Sequence, residues 1–74
     1  MPIYQFLNNS SQPCRIHVQG LDAGFTLDLP PGGSTPADLS PGMKTVTSFG
    51  TDGRVQCCYP ILCDPDGSIT GQQN

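Results

Sequence analysis

The sequence predicts an all-β protein, a small antiparallel β-sandwich or barrel of about 6–7 short strands with no helix. Three observations lead there. Nine Gly and eight Pro are scattered through the 74 residues. The longest run free of both, Ile3 to Gln12, is itself interrupted by Asn8-Asn9-Ser10-Ser11, so an ordinary helix of roughly 11 residues has nowhere to form. Several segments alternate apolar and polar residues with period two, and turn-forming clusters separate them at short intervals.

Taken in order, Ile3 to Leu7 is the first strand, ended by the polar cluster before Pro13. Cys14 to Gln19 is the second; Cys14, Ile16 and Val18 share one face and Arg15, His17 and Gln19 the other. Gly20 to Gly24 turns the chain into Phe25 to Leu29, where Phe25, Leu27 and Leu29 point inward. Pro30-Pro31-Gly32-Gly33 fits no central strand. Ser34 to Leu39 is a weak edge strand, disfavoured by Pro36, and Ser40-Pro41-Gly42 is a further turn. Met43 to Phe49 is rich in Thr and Val, as strands are. Gly50-Thr51-Asp52-Gly53 is the strongest hairpin signal and leads into Arg54 to Tyr59. Pro60 is expected to end or kink that strand, with Ile61 to Cys63 continuing it. Asp64-Pro65-Asp66-Gly67 then turns into a last strand, Ser68 to Thr70. The whole chain, 1–74, reads as one β domain with a polar tail, 71–74.

The order Asn8-Asn9-Ser10, Leu29-Pro30-Pro31-Gly32, Leu39-Ser40-Pro41-Gly42-Met43-Lys44-Thr45-Val46-Thr47 and Asp52-Gly53 resembles small bacterial surface β-sandwich modules of the PEGA-like or fibronectin-like sort. A turn-strand unit of the form L-x-P-G-x-x-x-V recurs in them. The resemblance spans residues 8 to 56 and rests on turn chemistry. It implies a β-sandwich fold and assigns no functional residue.

Composition narrows the roles. A chain of this length buries only about 60% of the surface its unfolded form exposes. With 35% hydrophobic residues and no Trp, it needs a further source of stability, either its cysteines or assembly into an oligomer. Arg15, Lys44 and Arg54 are scattered against six aspartates, giving a net charge of −3. Nucleic acid is therefore not an expected partner, since phosphates call for clustered cations. No apolar run reaches the ~20 residues of a membrane span. Met1-Pro2-Ile3-Tyr4 lacks the basic and apolar regions of a Sec-type leader. An extracellular or cell-surface location is favoured, with no Sec-type leader in this chain, whether the chain is mature after processing or released by a route that needs none, and a cytoplasmic one stays open.

Four cysteines, Cys14, Cys57, Cys58 and Cys63, are the candidate cross-link residues. Alternation along Arg54 to Tyr59 places Val55 and Cys57 on the face to be buried and Cys58 outward. A Cys57–Cys58 bond is disfavoured by disulfide geometry. The inward pair, Cys14 with Cys57, would close a long loop worth about 4 kcal/mol. Cys58 and Cys63 then either close a local loop across Pro60 or bond to other copies. Four reduced thiols in a cytosolic protein are the plainer arrangement.

Three other chemistries are weaker. Cys14-x-x-His17 with Cys58-x4-Cys63 has the donor types of a zinc site, but Cys14 and His17 face opposite sides of one strand. Asp64-x-Asp66-Gly67 has the start of a calcium loop, yet Ser68 to Gly71 offers no later carboxylate, and Asp-Pro-Asp-Gly is a turn sequence. Cysteine catalysis would need His17, the only histidine, and a pocket that so few large side chains hardly enclose. No catalytic residue, metal or cofactor is assigned.

The expected function is that of a non-enzymatic structural protein, self-assembling into a surface layer, filament or coat whose contacts its cysteines cross-link. Its partners are copies of itself. The alternative is a β-sandwich binding module that recognises a carbohydrate or protein through the Pro30 to Pro36 loop and Tyr59. A zinc-stabilised domain is third.

Overall fold

A computed structural model describes residues 2–21 and 23–71. Residues 72–74 of the expected polar tail, and Asp22 in the expected Gly20 to Gly24 turn, lie outside the described residues. Seven strands and no helix occur among the described residues. They are β1 (Ile3–Leu7), β2 (Cys14–Gln19), β3 (Gly24–Leu29), β4 (Ser34–Asp38), β5 (Gly42–Phe49), β6 (Val55–Cys63) and β7 (Ile69–Thr70).

The strands form two antiparallel sheets, a short one of β1 and β4 and a larger one in the order β3-β2-β5-β6-β7. Alternation dictates the packing between them. Tyr4 and Phe6 of β1 meet Ile16, Val18, Leu29, Val46, Ile61 and Cys63 of the larger sheet in one apolar core. The intervening residues Ile3, Gln5 and Leu7 face outward. Such burial is worth about 1.5–3 kcal/mol for each large side chain.

Hydrogen bonds tie the short sheet down on both sides. The Tyr4 hydroxyl donates to the Asp64 carbonyl at 2.6 Å, and the Thr35 hydroxyl donates to the Asp28 carbonyl at 3.2 Å. Asn8 closes the end of β1. Its buried side-chain amide donates to the Gln12 carbonyl and is shared between the Leu29 and Pro30 carbonyls. Its Oδ1 accepts from the backbone and hydroxyl of Ser10.

Both prolines inside strands sit where a missing donor costs little. Pro36 is exposed in β4, which pairs with β1 alone. Pro60 does not end its strand, and Ile61 to Cys63 continue it as expected: β6 runs to Cys63 and stays paired with β5 on both sides of the proline. The Asp64 N–H donates to the Ser68 carbonyl at 2.9 Å. Even-numbered positions in this half of β6 therefore turn their backbone groups toward β7, and the donor that Pro60 lacks faces away from β5.

One irregularity lies in β6. Ser48 pairs with Cys57 but Phe49 pairs with Val55, which leaves Gln56 as an extra residue, a β-bulge.

Candidate functional site

β7 is only two residues long and pairs only with Leu62 and Cys63. The N-terminal half of β6 is thus an edge with β5 on one side and no strand on the other among the described residues. Val55, Gln56, Cys57 and Cys58 are all exposed and none carries a charge. The short sheet does not extend over them. A cavity of about 390 Å³ opens there, lined by Leu7, Asn8, Cys14, Ser48, Cys57 and Tyr59 among others.

The four cysteines are free thiols in four different settings. Cys63 is buried in the core; burial pushes its thiol up, Lys44 opposes this and Asp64 adds to it. Cys14 is half-buried at the open end and is raised by burial first and by the nearby Cys57 second. Cys57 is exposed, with Sγ 3.2 Å from the Ser48 hydroxyl. Cys58 is exposed on the outer face, where the Thr47 hydroxyl lies 3.7 Å from its sulfur.

Alternation assigned Cys57 to the correct face but not its burial. It shares that face with Tyr59, Ile61 and Cys63, yet the covering sheet ends before reaching it. The expected Cys14–Cys57 bond meets an obstacle: β5 lies between β2 and β6. Two inter-strand spacings separate the backbones by about 9–10 Å, beyond the roughly 7 Å that a disulfide spans. A Cys58–Cys63 loop is excluded outright. Both lie in one continuous strand, about 16 Å apart along it and on opposite faces.

The zinc donors do not converge. Cys63 is in the core, Cys58 lies on the outer face of the same strand, and the His17 nitrogens are 3.3 Å from the Thr26 hydroxyl and 3.0 Å from Gln19 Oε1. No group of three or more His, Cys, Asp or Glu that could hold a metal occurs among the described residues. Asp64 to Gly67 forms the expected turn, with the Gly67 N–H donating to the Asp64 carbonyl. The Ser68 hydroxyl donates to Asp66, and this bond holds that carboxyl below its ordinary value. Gly32, Gly33 and Ser34 of the proposed ligand loop line a depression that adjoins, across Leu7 and Asn8, the one lined by Tyr59.

Two features escaped the sequence reading. Lys44 is buried, its stem packed near Gly20; its spacing from Val46 and Ser48 is the signal that places it inward. A groove of about 670 Å³ on the outer face gathers Arg15, His17, Thr26, Asp28 and Phe49. Arg15 Nε donates to Asp28 Oδ1 at 2.7 Å along its wall. No protein-family model, curated protein or solved structure matches the chain significantly.

Proposed function

We propose that the chain is a non-enzymatic structural protein that self-associates into a surface layer, filament or coat, with exposed cysteines securing the contacts. The observation that carries this reading is the N-terminal half of β6: an exposed, uncharged sheet edge bearing two adjacent thiols. Edges of this kind are templates for pairing with another chain unless they are protected. Exposed Ile3, Leu7, Met43, Val55 and Leu62 add apolar surface, and Met43 sits directly opposite Leu62 on the outer face. The net charge of −3 offers little repulsion between copies. An extracellular or cell-surface site, where disulfides persist, agrees with that role. Size-exclusion chromatography with reducing and non-reducing gels tests it: oligomers under oxidising conditions are expected, and a monomer indifferent to both oxidant and concentration refutes it.

A second reading draws on the outer groove. Phe49 beside the Arg15–Asp28 pair, His17 and Thr26 offers an apolar surface next to polar groups, the composition of a binding module for a carbohydrate or protein. Amide shifts confined to these residues during titration with a glycan panel support it; an unchanged spectrum removes the carbohydrate form of it.

A further inference from the structure

Among the described residues the edge of β6 is open but short, and its limits define what it can bind. Above it, Leu62 is taken by β7. Pro60 has no N–H, and Gly71 lies so close that a Cβ there would be 3.1 Å from the Pro60 carbonyl oxygen. Below it, the bulge at Gln56 breaks the regular alternation, and the Arg54 carbonyl already accepts from the Gly50 N–H at 2.8 Å. Between these limits, Cys58 is the one even-numbered position with both a donor and an acceptor turned toward the open side. A single residue with both groups available suits a partner that is its own mirror in sequence, namely a second copy paired antiparallel about a two-fold axis through Cys58.

We infer that two copies join edge to edge through β6, with Cys58 opposite the partner's Cys58, and that a disulfide between these two sulfurs holds the pair. The inference rests on the self-association proposed above and gives it a register. Residues directly opposite in a hydrogen-bonded antiparallel pair have Cα atoms about 5.5 Å apart, inside the range a disulfide spans. Both sulfurs fall on the outer face, since paired residues share a face. Cys57 then lies opposite the partner's Tyr59 on the inner face, out of reach of the partner's thiols. The contact is confined to Cys58 and its immediate neighbours, because Gly71 and β7 of each copy occupy the side of its Pro60 and Leu62.

Two backbone hydrogen bonds across so short an edge fall far short of the about 1,600 Å² that a standard interface buries. The covalent bond therefore decides the state, and the pair is redox-controlled. The oxidant is a small-molecule disulfide such as oxidised glutathione. One Cys58 thiolate attacks it and releases the first small thiolate, leaving a mixed disulfide. The partner's Cys58 thiolate then attacks the protein sulfur of that mixed disulfide and expels the second. Two protein thiols are oxidised and one small disulfide is reduced to two thiols.

The test is non-reducing electrophoresis, chromatography and intact mass of the wild type, Cys57→Ser and Cys58→Ser after incubation with oxidised glutathione. The wild type and Cys57→Ser are expected to give a covalent dimer of twice the monomer mass less two hydrogens, reversed by reductant. Cys58→Ser is expected to stay monomeric, and peptide mapping to find Cys58 joined to Cys58. A dimer that survives in Cys58→Ser and disappears in Cys57→Ser overturns the register while leaving self-association standing. A ladder of higher oligomers overturns the single-edge pairing in the same way. An intramolecular Cys14–Cys57 bond, or monomer in every sample, overturns the inference, and the second result removes the broader proposal with it.

Discussion

The two halves of β6 sit in opposite surroundings. From Tyr59 to Cys63 the strand packs its inward side chains against Tyr4 and Phe6, and β7 pairs with its end. From Val55 to Cys58 the same strand, with the same partner β5, has neither a covering layer nor a second neighbour among the described residues. Local sequence does not account for the contrast, since both halves are uncharged and both carry cysteine. What differs is the reach of other elements: a five-residue β1 and a two-residue β7 protect only one end. A thiol becomes core or surface here by position along a strand.

The strongest way to break this contrast is to measure it directly. With iodoacetamide under native, reducing conditions, Cys57 and Cys58 are expected to react fully while Cys63 stays protected until the fold opens. A protein of ordinary stability opens globally less than about one time in a thousand, so the rates should differ by roughly that factor or more. Peptide mapping over time checks it. Comparable rates at Cys58 and Cys63 would show that the two halves of β6 are equally open.

Asn8 marks the border between the two regions, and removing it should loosen the open one more than the core. Asn8→Ala removes the amide that serves the Gln12, Leu29 and Pro30 carbonyls. Gln12 keeps the Ser10 hydroxyl and Pro30 the Gly33 N–H as donors, so the expected cost is about 1–3 kcal/mol, the loss of a few buried hydrogen bonds. Asn8→Asp should cost more at neutral pH, because it turns a carboxylate toward those carbonyls. Urea unfolding gives both values. Cys14 at the adjacent open end should become more reactive through local opening, while Cys63 should lose protection only by the factor that the global loss of stability sets.

Alkali should act through the buried and half-buried groups of both regions. Folding keeps the proton on Cys63, Cys14 and Tyr4 to higher pH than in the unfolded chain, chiefly through burial. Their contribution is intact below the unfolded thiol value of about 8.5 and is lost as pH rises through the raised folded values. The urea midpoint is expected to hold from about pH 6 to 8 and fall above about 9. Cys63→Ala should make that fall shallower.

Much of the fold was legible because period-two alternation needs only local residues. The boundaries of β1 and β2 follow directly from it, and so does the outward placement of Cys58. What it lacked was the extent of the opposing layer. Cys57 has the parity of a core residue, but its burial depends on how far β1 reaches, which no residue near Cys57 encodes. Pro60 reads as a break unless its missing donor is known to face an open edge, and that depends on where β7 stops. The Cys14–Cys57 pairing assumed that two inward residues are neighbours, whereas strand order placed β5 between them. The bulge at Gln56 has no signal in the sequence that we can identify.

The smallest expected effect concerns the outer face. The Arg15–Asp28 pair is close, at 2.7 Å, but both side chains are well exposed, 63% and 75%. Arg15 is raised by its hydrogen bond to Asp28 first and by the charge of Asp28 second. Water and salt screen such a pair, so Arg15→Ala should cost less than about 1 kcal/mol, with the difference shrinking as salt is added. A larger loss that persists in high salt would mean that the guanidinium does more than pair. Because Arg15 lines the groove with Phe49 and His17, such a result would shift weight from the β6 edge to the groove as the working surface.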